Sequence, residues 1–350
     1  MALTHLDLKH FRNFSEASIQ LSDRLNLIVG NNGQGKTNLL ESVYLLLQGR
    51  DFRTTVEREA IQDDQVTALL DGMGTSGEHV VRWKHIIPTA GRRSHSGQNV
   101  PLVLFSPDDV YLAKGSPDRR RQFLDLLLGA HDPRYARSLR TYHRIVLQRN
   151  RALKDASLHR VVDDFTPLLI REGSYIWRRR RETLLTLTPD AQEIQQRLSP
   201  QESLDLHLRY GGSKDPILTE DDYLDRLNQR RPEENLRQMT LVGPHRDDLI
   251  VTLGGLNTRQ YASQGQLRTV ALSLKLGCHA WLFRETGTRP IILLDDVLSE
   301  LDAQRRQAVL ETVFQSGQQT IVTDTEPRSY AALQPHILHV DHGEVLYGQP

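Results

Sequence analysis

The sequence predicts an α/β fold whose sheet-forming parts flank an inserted, mostly helical lobe. Three observations predict it. First, the apolar run Leu25-Asn26-Leu27-Ile28-Val29 ends in a glycine-rich turn, and helically spaced apolar residues follow over 38–47. Second, four apolar residues, Ile291 to Leu294, run into the adjacent acids Asp295 and Asp296. Third, the stretch from about 107 to 240 is rich in Leu, Arg, Gln and Glu, and Pro107, Pro117, Pro133, Pro167, Pro189, Pro200, Pro216 and Pro232 interrupt it.

The remaining elements follow in order. Residues 3–8 alternate apolar and polar, as a half-buried strand does. Residues 66–70 and 78–87 read as strands, with glycine-rich turns at 72–77 and 91–97. Strands resume at about 248–253, a helix spans about 264–285, and the acidic strand follows. A helix at about 302–315, a strand at 319–323 and a hairpin over 336–347, turning at His342-Gly343, complete the chain. The expected division is one discontinuous domain, residues 1–105 plus 241–350, around a helical lobe, residues 106–240. No internal repeat and no sustained heptad is visible, so a long coiled coil is not expected.

Composition bounds the class. With 350 residues, 38% hydrophobic and 25% charged, the chain can fill one large core or two moderate ones. Its 44 basic and 44 acidic residues balance, so only the distribution of charge can speak for a polyanionic partner. A single cysteine, Cys278, excludes a disulfide framework or a Cys-based zinc site within one chain and suits a reducing compartment. The N-terminal stretch lacks the apolar run of a signal peptide, and no stretch approaches a membrane span. A cytoplasmic protein without a membrane partner is expected.

Gly30-Asn31-Asn32-Gly33-Gln34-Gly35-Lys36-Thr37 matches G-x-x-x-x-G-K-[ST] between a strand and a helix. Glycines let backbone N–H groups turn inward around a phosphate, and the helix that follows points its N-terminus at the same anion. Lys36 would reach the β- and γ-phosphates of a nucleotide, and the Thr37 hydroxyl would help hold Mg²⁺. Asp295 then suits the Mg²⁺ second shell, and Asp296 suits the general base that activates water. A plain glycine-rich turn and a strand ending in solvated acids are the alternatives. Ser263-Gln264-Gly265-Gln266 opens an amphipathic helix, where a hydroxyl and free N–H groups can meet a γ-phosphate; an ordinary serine N-cap explains the same residues.

The order of these motifs, closed by Ser299-Glu300-Leu301-Asp302, resembles that of ABC and SMC ATPase heads. Ser-Gln-Gly-Gln resembles the ABC signature and Ser-Glu-Leu-Asp the D-loop. Within that group the chain resembles the RecF family. Leu8-Lys9-His10-Phe11-Arg12-Asn13-Phe14, Phe105-Ser106-Pro107-Asp108-Asp109 and Arg120-Arg121-Gln122-Phe123-Leu124-Asp125 carry the likeness. So do Leu241-Val242-Gly243-Pro244-His245-Arg246-Asp247-Asp248 and the nine residues from Tyr261 to Thr269.

This resemblance implies an ABC/SMC-like P-loop ATPase head that uses ATP and Mg²⁺. It implies a homodimer in which Ser263 of one copy completes the catalytic set of Lys36 and Asp296 in the other. Gly265, Gln266 and Asp302 would join the nucleotide contacts. It further implies binding to gapped, single-stranded or junction DNA, the partners RecR and RecO, recombinase loading in repair and fork recovery, support of SOS induction, and nucleoid association. Three departures from the ABC pattern point to slow turnover. The signature starts Ala262-Ser263-Gln264-Gly265, the second acid is Asp296 rather than Glu, and Thr323-Asp324 stand where transporters carry a switch histidine. No Q-loop glutamine can be assigned. A transporter cassette and a chromosome-structural SMC head are the competing classes. The departures and the basic insertion weigh against the first, and the missing coiled coil against the second.

From Lys114 to Arg181 there are 17 basic and 7 acidic residues. Arg137, Arg140, Arg144 and Arg151 share one helical face, and runs at 119–121 and 178–181 add to it. Such a stripe fits DNA phosphates; a solvated face balanced by the acids of 182–234 is the alternative. Arg12 could face nucleotide or DNA or simply solvent, and His245 with Arg246 could mark a site or a structural turn.

Overall fold

The computed structural model describes the chain apart from residues 54–55, 214, 299–300, 316, 326 and 348–350. In chain order the elements are β1 (Ala2–Phe11), β2 (Phe14–Gln20), β3 (Leu25–Val29), α1 (Lys36–Gln48), β4 (Thr67–Ser76), β5 (His79–Pro88), β6 (Ser94–Ser96) and β7 (Leu102–Phe105). There follow α2 (Val110–Lys114), α3 (Pro117–His131), α4 (Pro133–Lys154), α5 (Thr166–Leu198), β8 (Leu204–Arg209), α6 (Glu220–Arg237), β9 (Asp248–Leu253), β10 (Leu256–Asn257), α7 (Thr258–Tyr261) and α8 (Gln264–Thr286). The chain closes with β11 (Ile291–Asp295), α9 (Ala303–Gln315), β12 (Thr320–Asp324), β13 (His336–Asp341) and β14 (Glu344–Tyr347). Two compact units result: Met1–Asp108 with Leu282–Pro350, and Asp109–Trp281.

The first unit holds two sheets. One has the order β14-β13-β3-β12-β11-β7, in which β13, β3, β12, β11 and β7 run parallel and β14 closes a hairpin. Strands covered on both faces read as continuous apolar runs, which is why β3 and β11 were legible in the sequence. The other sheet is antiparallel, in the order β2-β1-β4-β5-β6. Leu39, Leu40, Val43, Leu45, Leu46 and Leu47 of α1 share one core with Leu3, Leu6 and Trp83 of the second sheet and with Ile28, Leu293 and Ile321 of the first. The expected turn at 72–77 is instead mostly strand. Gly72 and Gly74 lie in β4 because β1 passes too close for a side chain: a Cβ on Gly74 would stand 2.1 Å from the Ala2 carbonyl oxygen. The turn itself falls at Gly77, whose φ is +62°.

In the second unit, helices surround a small antiparallel sheet of order β10-β9-β8. The expected mostly helical lobe also contains a strand that the sequence did not signal, β8, whose partner β9 lies beyond α6. That pairing also carries residues 241–281 into this unit rather than into the sheet domain. Most of α8 follows, packed on α5: Ser273 Oγ donates to Gln195 Oε1 at 2.9 Å, and a Cβ on Gly277 would stand 2.9 Å from Ala191. Prolines 117, 133 and 167 open helices, where a missing N–H costs nothing. Pro189 and Pro232 were expected to break helices, yet they lie inside α5 and α6. Leu187 and Ala191, fully buried on either side of Pro189, hold α5 in place across the lost hydrogen bond.

The core of this unit is unusually polar. Arg180 donates to Asp125 Oδ1 at 2.7 Å and to Asp247 Oδ2 at 2.6 Å, and Asp247 also accepts from Trp177 Nε1 and the Gly211 N–H. Arg120 pairs with Asp248 at 2.7 Å, and Arg149 with Glu234 at 2.5 Å. His245 sits between Tyr142 and the Thr240 carbonyl, at 2.7 and 3.1 Å. Gly243, with φ +142°, leaves room for the Tyr142 hydroxyl, which a Cβ would meet at 2.0 Å. The stretch from Gly243 to Asp248 is thus a structural turn that gathers α3, α4 and α5.

Candidate functional site

The glycine-rich loop leaves β3 and enters α1 at the carboxyl end of the parallel strands, where open α/β sheets place their ligand sites. Each glycine has a local reason. A Cβ on Gly30 would stand 2.3 Å from the Val340 carbonyl oxygen of β13. Gly33 and Gly35 take φ of +83° and +116°, and a Cβ on Gly35 would also meet the Asn13 side chain. Gln34 is clamped from two sides. Asn13 Nδ2 and the Gly343 N–H donate to its carbonyl at 2.8 and 3.2 Å, and the His342 N–H donates to its Oε1 at 2.6 Å. Asn31 and Asn32 form the exposed outer lip.

Lys36 is only 7% exposed, and its ammonium donates to the carbonyls of Gly30 and Asn31 at 2.7 and 3.1 Å. The charge therefore hangs over the loop's own concavity. Helix α1 starts at Gly35 with no side-chain cap and no acid in its first turn. Its first N–H groups and its positive dipole end are left for an anion.

Thr37 Oγ1 donates to Asp295 Oδ1 at 2.8 Å. The parallel pairing of β11 with β12 sets Asp295 opposite Thr323, and the Thr323 hydroxyl donates to the same Oδ1 at 3.0 Å. Thr323 Oγ1 in turn accepts the Asp296 N–H at 2.8 Å. Burial pushes the Asp295 carboxyl above the ordinary range, while the two hydroxyls and Arg53 pull it back and Asp296 adds to the rise. Asp296 has φ +50°, a left-handed conformation in which the chain leaves the strand.

Beside the loop, fully buried Glu41 of α1 holds two arginines. Arg12 Nε donates to it at 3.0 Å, Arg12 Nη2 at 2.5 Å and Arg53 Nη1 at 3.0 Å. Arg12 is thus neither an exposed surface residue nor aimed freely at a ligand; its side chain is 18% exposed. Burial raises the Glu41 carboxyl and the Arg12 hydrogen bond opposes the rise. Asp302 caps α9 by accepting the Arg305 N–H at 2.9 Å. Ser299 and Glu300, the rest of that motif, lie outside the described residues.

In the second unit Ser263 is exposed at the start of α8. It forms a capping box: the Ser263 N–H donates to Gln266 Oε1 at 2.7 Å and the Gln266 N–H to Ser263 Oγ at 3.3 Å. Gln266 Nε2 donates to Glu202 Oε1 at 2.6 Å, so both ends of that amide are engaged within the unit. Gly265 offers no side chain, and its carbonyl accepts the Thr269 hydroxyl at 2.9 Å.

Helix α4 carries no acid, and Arg137, Arg140, Arg144 and Arg151 lie on its exposed face. Among the described residues none of these four makes an ion pair. The runs at 119–121 and 178–181 are different. Arg120 and Arg180 are buried and paired, so they are core rather than surface charge. Sequence reading noted Asn13 only within a family motif and Thr323 only where a switch histidine would stand, so it missed their contacts at the site and the clamp from the 342–343 turn. The Thr323 contact could have been found from the acidic strand's parallel neighbour, but Gln34 and His342, 308 positions apart, carry no shared local signal.

Among the described residues no helix is long and apolar enough to cross a membrane. The AAA ATPase domain family model matches residues 1–73. DNA replication and repair protein RecF of Geobacillus sp. (strain WCH70) is 36% identical, over 93% of this chain and 92% of that protein. The protein of the same description from Bacillus subtilis (strain 168) is 35% identical, over 93% of each. A solved structure of the recombination mediator protein RecF-ATPrS in the RecFOR pathway superposes with a TM-score of 0.89 at 28% identity, covering 99% of this chain and 98% of that one. An Smc head domain from Pyrococcus furiosus, at TM-score 0.58 and 16% identity, is alike in fold. The architecture is an ABC/SMC-like ATPase head with an inserted, mostly helical lobe.

Proposed function

The chain belongs to the RecF family of DNA replication and repair proteins, and from that premise we propose that it is an ATP-gated DNA-binding switch with slow ATP hydrolysis. The observation that carries this is the meeting of two motifs from opposite ends of the chain, Thr37 of the glycine-rich loop and Asp295 of the acidic strand, at 2.8 Å. The loop's N–H groups and the open start of α1 receive the β-phosphate, and Lys36 leaves its two carbonyl partners for the phosphate oxygens. Thr37 would present its hydroxyl oxygen to Mg²⁺, and Asp295 would hold the ion through its water, from the second shell. Bound there, Mg²⁺ neutralises charge on the phosphate oxygens. Asp296 accepts the proton of the attacking water; it is one methylene shorter than the usual glutamate, which slows turnover.

Ser263 is exposed and backed by a helix N-terminus, so it can cap the γ-phosphate of ATP bound to a second copy. Gly265 and Gln266, beside it at the start of α8, are proposed to contact the nucleotide as well, and so is Asp302 in the other unit. Closure of two heads aligns their α4 arginines on DNA. Because the contacts of Arg137, Arg140, Arg144 and Arg151 are to phosphates, binding is set by DNA structure and salt more than by sequence. Gapped or junction DNA is the proposed target, RecR and RecO the proposed partners, and recombinase loading with SOS induction the outcome. The RecFOR pathway of the solved relatives supports this.

Gapped-DNA affinity with and without ATP tests the switch. ATP tightens binding of the natural chain and leaves Lys36→Ala unchanged. Equal affinity in both states, in the natural chain, rejects the gate.

A further inference from the structure

Thr323 touches both members of the acidic pair. It is fully buried at the end of β12 and has a single hydroxyl proton to give. The Asp296 N–H occupies one lone pair at 2.8 Å, and the proton goes to Asp295 Oδ1 at 3.0 Å. Thr37 donates to that same oxygen, so two hydroxyls from different elements fix the Asp295 carboxylate. The bond to Asp296 fixes something else. Asp296 is held at φ +50°, where an L-residue other than glycine sits only with local support. With this N–H tied to β12, the chain turns out of the strand at a set angle and aims the Asp296 side chain.

We propose that Thr323 is a positioning residue for hydrolysis: its hydroxyl holds the Asp296 backbone in the turn that directs the water-activating carboxylate, without touching nucleotide itself. This rests on the reading of Asp296 as general base. Thr323→Val keeps the shape and β-branching of the side chain and removes the hydroxyl. Thr323→Ser keeps the hydroxyl and loses a methyl.

The test measures equilibrium ATP affinity and single-turnover hydrolysis, with Mg²⁺ and gapped DNA, for both variants and for each in an Asp296→Ala background. For Thr323→Val the expected result is affinity within about threefold and a rate lower by about 10- to 100-fold, a fraction of what a general base supplies. Thr323→Ser restores the rate to within about threefold, and in the Asp296→Ala background Thr323→Val adds no further slowing. A natural-like rate in Thr323→Val, a serine variant as slow as the valine one, or full additivity with Asp296→Ala overturns the proposal. If instead the natural chain binds ATP and Asp296→Ala alone leaves its rate unchanged, the general-base reading fails first and the proposal with it.

Discussion

The Thr37 hydroxyl donates to Asp295 Oδ1 across 2.8 Å of space and 258 positions of sequence. Two half-sites from opposite ends of the chain become one site through this contact. The loop supplies phosphate donors and a hydroxyl, and the strand supplies the buried acid. Asp295→Asn removes the charge and keeps the shape. It should leave Mg²⁺-free nucleotide binding within about threefold and sharply weaken the Mg²⁺ dependence of binding and turnover, because the carboxylate that holds the ion's water is gone. Nucleotide titrations with Mg²⁺ and with EDTA check this.

Ser263→Arg fills the exposed start of α8 with a long cation. One copy should still bind ATP nearly as well, and the ATP-dependent dimer should be lost in sedimentation velocity. Loss of ATP binding as well would make Ser263 only the cap that its bonds with Gln266 describe.

Reversing Arg137, Arg140 and Arg144 to Glu should weaken DNA binding and lower the slope of log affinity against log salt by about 3, at about 0.9 per lost phosphate contact. The three are exposed on α4, so the fold should stand. An unchanged slope moves the DNA to another face.

Arg149→Met leaves Glu234 fully buried without its cation. Stability should fall by about 3–5 kcal/mol in urea unfolding, the usual cost of orphaning a buried charge. Adding Glu234→Leu should recover much of it, because the burial cost of both ions disappears together.

Burial holds the His245 imidazole at about 3, far below its ordinary 6.5, against the Thr240 carbonyl's pull the other way. The folded chain therefore keeps it neutral while the unfolded chain protonates it. Its contribution is complete above pH 6.5 and is lost as pH falls toward 3, at no more than about 1.4 kcal/mol per pH unit. His245→Gln should flatten that part of the stability profile.

Features confined to one segment were legible in the sequence: the glycine loop, the acidic strand, the arginine face of α4. What escaped depends on partners far along the chain. Arg180 and Arg137 look alike in sequence, yet Arg180 is core because Asp125 and Asp247 lie 55 and 67 positions away. Strand β8 has alternating residues too few to stand out in a helix-rich stretch, and its partner β9 follows α6. Glycines 72 and 74 read as a turn because close strand approach and backbone reversal select the same residue.

Mixing two disabled chains tests the shared site most directly. Lys36→Ala lacks the loop lysine, and Ser263→Ala lacks the capping hydroxyl without adding the long side chain that blocks dimerisation. Each alone should show almost no ATP turnover. If one molecule's loop is completed by its twin's α8, an equal mixture regains about a quarter of natural activity, since half the dimers are mixed and each holds one intact site. A mixture as inactive as its components contradicts completion in trans and leaves a nucleotide pocket confined to one copy.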